Sequence, residues 1–165
     1  MKTIKVTLFL LILLFSGKAQ AQMAAAKTFS PKVAVEVTLN APMEKVWEYL
    51  QDRDVYKKMT GARTFEIQGM YEDSPVKVVG KDGTSRKQHI SAIIEPRHMV
   101  CFFVTQSDYL KNTWGYNFDV KAKNDRQCIV SMKVFNGEAP VPDALKKNMQ
   151  KEFEHMKKFL EKEFK

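Results

Sequence analysis

The end of the chain carries one uninterrupted apolar stripe. Leu145, Met149, Phe153, Met156 and Leu160 recur at spacings of four and three, while Lys146, Lys147, Lys151, Lys158 and Lys162 lie opposite. This period predicts an amphipathic helix over residues 143–164, with Asp143 as its N-cap and the Pro-rich break GEAPVPD before it. A helix with such a face must dock on something apolar. What precedes it is mostly strand, so the chain has one large sheet face to cover and one long helix to cover it.

The strands announce themselves by alternation. In KVAVEVTLN, Val33, Val35, Val37 and Leu39 point one way and Glu36, Thr38 and Asn40 the other. TFEIQGM (64–70) is a second strand. Asp82-Gly83 marks a hairpin turn between alternating flanks. HMVCFFVTQ (98–106) is apolar on both faces, which predicts a central place in the sheet. Trp114, Tyr116, Phe118 and Val120 form the apolar face of the next strand, and Cys128, Val130, Met132 and Val134 that of the last. These two strands turn around Asn124-Asp125. A tight two-residue loop there would set their apolar faces out of phase, whereas a loop of about three residues brings Phe118 opposite Met132 and Tyr116 opposite Val134.

Between the first and second strands lies APMEKVWEYLQDRDVYKKMTG. Met43, Val46, Trp47 and Leu50 share one helical face, Pro42 suits the first helical position and Glu44 the first turn. A second short helix runs toward Gly61.

The N-terminus reads differently. A basic start, MKTIK, an apolar run, VTLFLLILLFSG, and an Ala19-Gln20-Ala21 site make a secretory signal peptide over residues 1–21. The run is too short for a membrane-spanning helix, which needs about 20 residues. Removing the leader leaves 144 of the 165 residues, suited to one domain over 33–165 after a linker at 22–32. The expected location is outside the cytoplasm, periplasmic or secreted, with no stable membrane anchor after cleavage. Lys2, Lys5 and Lys18 leave with the leader, so the excess of basic over acidic side chains falls from eight to five. That mild, dispersed charge fits a solvated lysine-rich face or weak association with anionic surfaces, and not nucleic-acid binding. Export would place Cys101 and Cys128 in oxidising surroundings. In a meander, however, one strand separates them. Two inter-strand steps span roughly 9–10 Å, beyond the ~7 Å a disulfide tolerates, so both are expected as buried free thiols.

The order of strand, two short helices, antiparallel strands and one long helix has a parallel. VEVTLNAPMEKVWEYLQDRDVYKKMTG, with Ala41-Pro42, Val46-Trp47, Leu50 and Asp52, resembles the opening of the START-like, polyketide cyclase/dehydrase-like helix-grip superfamily (SRPBCC). NTWGYNFDV, QCIVSMKVF and the final helix are similar to its later parts, so the resemblance spans residues 33–164. It implies an α+β fold in which a curved antiparallel sheet of about six to seven strands wraps around the C-terminal helix. The two short helices would close one end of the grip, with Trp47 in the core.

It also implies a cavity between sheet and helix for a small hydrophobic or amphipathic ligand, such as a lipid, isoprenoid or aromatic compound. Phe103, Trp114, Tyr116, Phe118, Met132 and Val134 would face it from the sheet, and Met149, Phe153 and Met156 from the helix. Aromatic and Met side chains suit such a pocket and suit a filled core equally well. Two alternatives stand beside a binding protein. One is a cyclase- or dehydratase-like enzyme using the same cavity. The other is an interaction module using the basic face of the last helix. No P-loop, dinucleotide fingerprint or nucleophile elbow is present, and no cofactor is expected. His89, expected to face outward, His98, in a connection, and His155, beside the apolar stripe, share no metal-like spacing; Glu66 and Glu95 are isolated carboxylates. No metal and no catalytic residue is expected.

Overall fold

Among the described residues of the computed structural model are seven strands, three α-helices and a single 3-10 turn at Glu95–Arg97. The structure describes residues 30–108, 113–137 and 139–165; the expected leader and most of the expected linker lie outside the described residues. The strands are β1 (Val33–Leu39), β2 (Thr64–Ile67), β3 (Pro75–Val79), β4 (Ser85–Ile94), β5 (Met99–Ser107), β6 (Trp114–Asn124) and β7 (Gln127–Phe135). Helices α1 (Met43–Leu50) and α2 (Arg53–Thr60) follow β1, and α3 (Asp143–Glu163) closes the chain. The sheet is antiparallel, in the order β1-β7-β6-β5-β4-β3-β2.

Alternation decides what the sheet buries. One row crosses five strands, Val33–Val134–Tyr116–Phe102–Ile90, and all five side chains are buried on the face toward α3. The stripe of α3 meets this face, and Leu145, Met149, Phe153, Met156 and Leu160 are each 0% exposed. Burying side chains of this size is worth roughly 1.5–3 kcal/mol each.

Phe118 lies opposite Met132 and Tyr116 opposite Val134, as the phase argument requires. The phase is restored by a bulge rather than by a longer loop. Asn124 pairs with Gln127 across a two-residue turn, and the register then slips at Lys123, so that Ala122 faces Cys128. Strands β4 and β5 slip between Lys87 and Gln88 and again between Ile90 and Ala92, and the second slip reverses which residues of β4 point inward. Arg86, Gln88 and Ile90 are buried, while Ala92 and Ile94 are only half-buried.

Strand β5 is the middle strand of the seven, but its outer residues are not covered. Cys101 is half-buried on that outer face and Cys128 is fully buried on the inner one, so the expectation that both thiols are buried is corrected for Cys101. Both are free. Burial pushes each thiol up to about 11, with Asp119 adding to the effect at Cys101 and Glu44 at Cys128.

The helix boundaries differ from the expectation by one residue. Pro42 is the N-cap of α1 and not its first helical residue, and Pro142, not Asp143, is the N-cap of α3. Asp143 sits in the first turn of α3, with its carboxylate 3.3 Å from Lys146 Nζ. Helix α2 is capped by Asp52, which accepts from the Asp54 N–H, and ends on left-handed Gly61 (φ 63°). Trp47 is in the core at the end of the grip, and its indole N–H donates to Glu95 Oε2 at 2.8 Å, so Glu95 is not an isolated carboxylate. The buried Tyr56 hydroxyl donates to the Leu50 carbonyl at 2.8 Å and ties α2 back to α1.

Two predictions follow from packing. A Cβ at Gly61 would lie 2.6 Å from His155 Nε2, in a backbone conformation that L side chains rarely adopt. Gly61→Ala should therefore destabilise by about 1–2 kcal/mol in denaturant titrations. In a His155→Ala background the clash disappears and only the backbone strain is left. The thiols give the second. Their raised pKa values keep them protonated in the native protein, so thiolate absorbance should stay flat up to about pH 10, where denatured protein already absorbs. The unfolded chain then loses protons that the folded chain keeps, and stability falls as pH rises from the ordinary thiol range toward 11.

Candidate functional site

The space expected to hold a ligand is occupied by the protein itself. Trp114, Tyr116, Phe118, Met132, Val134, Met149, Phe153 and Met156 all face between sheet and helix, and none is more than 2% exposed. Their rings interlock. Tyr116 stacks on Phe102 at 4.9 Å, and Phe118 meets Tyr116 edge-on at 5.8 Å and Phe153 at 6.3 Å. The ninth expected residue, Phe103, points the other way. The alternation that buries Phe102 and Val104 sends Phe103 to the outer face, where it is 38% exposed and packs on His89. Phe103 is thus corrected to an outer-face residue, and the half-buried His89 lies on that face with it.

A cavity of about 350 Å³ opens at the mouth of the grip instead. Its walls come from the end of α2 with Gly61 and Ala62, from Val78 and the hairpin between β3 and β4, and from the outer flank of α3. None of the nine expected residues lines it. The hairpin holds its shape through Asp82, whose Oδ1 accepts from the Thr84 N–H and hydroxyl, and through left-handed Gly83. On the facing side stand Asn148, Lys151, Glu152 and His155, spaced so that one flank of α3 presents them together.

The chemistry of the cavity is concentrated at Arg86. This side chain enters the grip from the start of β4, beside the hairpin. Its Nη1 and Nη2 donate to the two oxygens of Glu152 at 2.9 and 2.6 Å, a bidentate pair with side-chain exposures of 8% and 13%. Its Nε donates to Gln88 Oε1 at 3.0 Å, and Gln88 Nε2 donates to the Tyr116 hydroxyl at 2.6 Å. The guanidinium also lies 5.5 Å from the centre of the Tyr116 ring. Burial opposes the charge on Arg86 most strongly, yet Glu152 and Tyr116 together leave its pKa above the ordinary value. Burial dominates at Tyr116, which is pushed up to about 12, so the phenol stays neutral and acts as a hydrogen-bonding group rather than a base.

None of Arg86, Gln88 and Glu152 was singled out from the sequence. Two signals were there. Counting back by twos from Ile90 places Gln88 and Arg86 on the inner face. Glu152, three residues after Met149 and next to Phe153, borders the buried stripe of α3. His155 was recognised as lying beside that stripe, but its place on the cavity wall depends on Gly61, far away in sequence. Among the described residues no group of three or more His, Cys, Asp or Glu side chains gathers as a metal site, and no helix is long and apolar enough to cross a membrane.

The buried ion pair makes a clear prediction. Glu152→Ala leaves the Arg86 guanidinium without its counter-charge and should cost about 3 kcal/mol of stability, read by denaturant titration. Replacing both partners, Arg86→Met with Glu152→Leu, should recover most of that loss.

No protein-family model matches the chain, and no curated protein matches it. Solved structures do. A START superfamily protein from Mycobacterium smegmatis superposes with a TM-score of 0.63 at 17% identity, over 80% of this chain and 95% of that one. Ginseng major latex-like protein 151 from Panax ginseng gives 0.62 at 15%, over 81% and 96%. The Zhui aromatase/cyclase from Streptomyces sp. R1128 gives 0.63 at 14%, over 79% and 91%. At such identities the likeness is one of fold, and it agrees with the strand order, the paired short helices and the gripped terminal helix: the chain has the START-like helix-grip fold.

Proposed function

We propose that this protein is an exported binding protein for a small amphipathic molecule, held at the mouth of the grip. The observation that carries this reading is the cavity of about 350 Å³ with Arg86 fixed in its wall. A site of this kind combines some apolar surface, here Val78, Ala62 and the stems of long side chains, with a few oriented polar groups. Its volume is near the lower end of the 300–1,000 Å³ common for ligand pockets, which favours a compact ligand over a long lipid. The deep space expected for a ligand is filled by aromatic and Met side chains, so capture at the mouth is the more economical reading. The leader-like N-terminal sequence supports export.

Native mass spectrometry of protein purified from its own compartment tests this reading. We expect a reproducible added mass that vanishes on denaturation, with Lys151→Glu lowering its occupancy several-fold. A clean apo mass that does not shift on soaking with host lipid and metabolite extract would overturn the reading. Recovery of the captured molecule unchanged after incubation separates simple binding from a cyclase-like activity.

A further inference from the structure

The two partners of the buried ion pair are not equally held. Arg86 is tied from several sides at once: by Gln88 Oε1 at 3.0 Å, by contact with Met149 Sδ at 4.0 Å and by the Tyr116 ring at 5.5 Å, in addition to Glu152. Among the described residues, the Glu152 carboxylate has hydrogen bonds to Arg86 alone. It stands on the flank of a helix, at the edge of the cavity and closer to solvent than Arg86 is. If this pair opens, Glu152 leaves and Arg86 stays.

The geometry points to an anion seat at Arg86: the cavity takes a small amphipathic carboxylic acid, whose carboxylate replaces that of Glu152 on the guanidinium. This assignment rests on reading the cavity as a ligand site, and it names the ligand class. The exchange is conservative. A ligand carboxylate has the planar, two-oxygen shape that Glu152 presents, so both hydrogen bonds from Arg86 re-form. At the end of the exchange Arg86 has a counter-charge again, which avoids the large cost of an unpaired buried ion. The displaced Glu152 turns outward from its helix into water. The surrounding charge favours an anion once it has moved, since Lys81 and Lys151 lie on the wall with Asp82 as the remaining acid. A cationic ligand would instead have to displace Arg86 from all its contacts. A neutral head group has no charge to offer in exchange for that of Glu152.

Glu152 is then an internal competitor, and weakening it should improve binding. The test is isothermal titration calorimetry of octanoate and 1-octanol, equal in chain length, against the full mature protein and its variants. We expect octanoate to bind about ten- to a hundredfold more tightly than 1-octanol. Glu152→Gln should tighten octanoate by about tenfold relative to 1-octanol, because the amide competes less well for Arg86. Glu152→Asp keeps the charge but shortens the reach, and should shift octanoate in the same direction if the Gln variant proves unstable. Equal binding of acid and alcohol, or weaker octanoate binding in both variants, overturns the anion seat. A captured molecule in native mass spectrometry that carries no acidic group overturns the seat alone and leaves the cavity as a binding site. Failure of both probes together with a clean apo mass overturns the binding reading and the seat with it.

Discussion

Everything in this molecule depends on one contact, the apolar face of a single helix against the inner face of a seven-stranded sheet. An antiparallel sheet can leave one face to water, but the other must be covered. Here the cover is α3, whose five stripe residues are all fully buried. The two short helices cannot substitute for it. They plug one end, pinned by Trp47 and Tyr56, and they are placed there by the Ala41-Pro42 step that turns the chain off the end of β1. The curvature of the sheet, the filling of the core by rings and the position of the mouth all follow from wrapping one sheet around one helix.

Much of this was legible in the sequence because it is written in periods. Alternation gave the strands and their faces, and the stripe of Leu145, Met149, Phe153, Met156 and Leu160 gave the helix. Register between β6 and β7 could be deduced because only one phase buries both apolar faces. What periodicity could not supply was the filling of the space between the layers. Aromatic and Met residues at inner positions are compatible with a hollow or a solid interior, and the difference lies in ring-to-ring distances that no spacing encodes.

The cavity was illegible for another reason. Its wall is assembled from a hairpin, a helix end and a helix flank, which are distant in sequence and individually ordinary. Arg86 falls on the inner face by alternation from Ile90, but its partner Glu152 lies 66 residues away and no spacing pairs the two. The slip between Ile90 and Ala92 also breaks the alternation toward Ile94, so the inner face of β4 is not one continuous row. Phe103 illustrates a different difficulty. A run that is apolar on both sides hides its own phase, and only the neighbouring strands show which ring is inside.

The division between core and cavity wall has an evolutionary consequence. Of the residues that line the cavity, Val78 and Ala62 are the apolar ones in or against the core, and Arg86 reaches into it to Met149 and the Tyr116 ring, while the hairpin residues Gly80, Lys81, Asp82 and Thr84 stay at the rim. Selection on the hairpin 80–84 and on Lys151 can therefore proceed with little disturbance of the residues that make the chain fold, whereas Glu152 is tied to the interior through Arg86. Such a scaffold is free to diverge at its rim while its interior drifts only among shapes that still interlock. Superpositions that span most of the chain at 14–17% identity accord with an architecture that tolerates wide change in its residues.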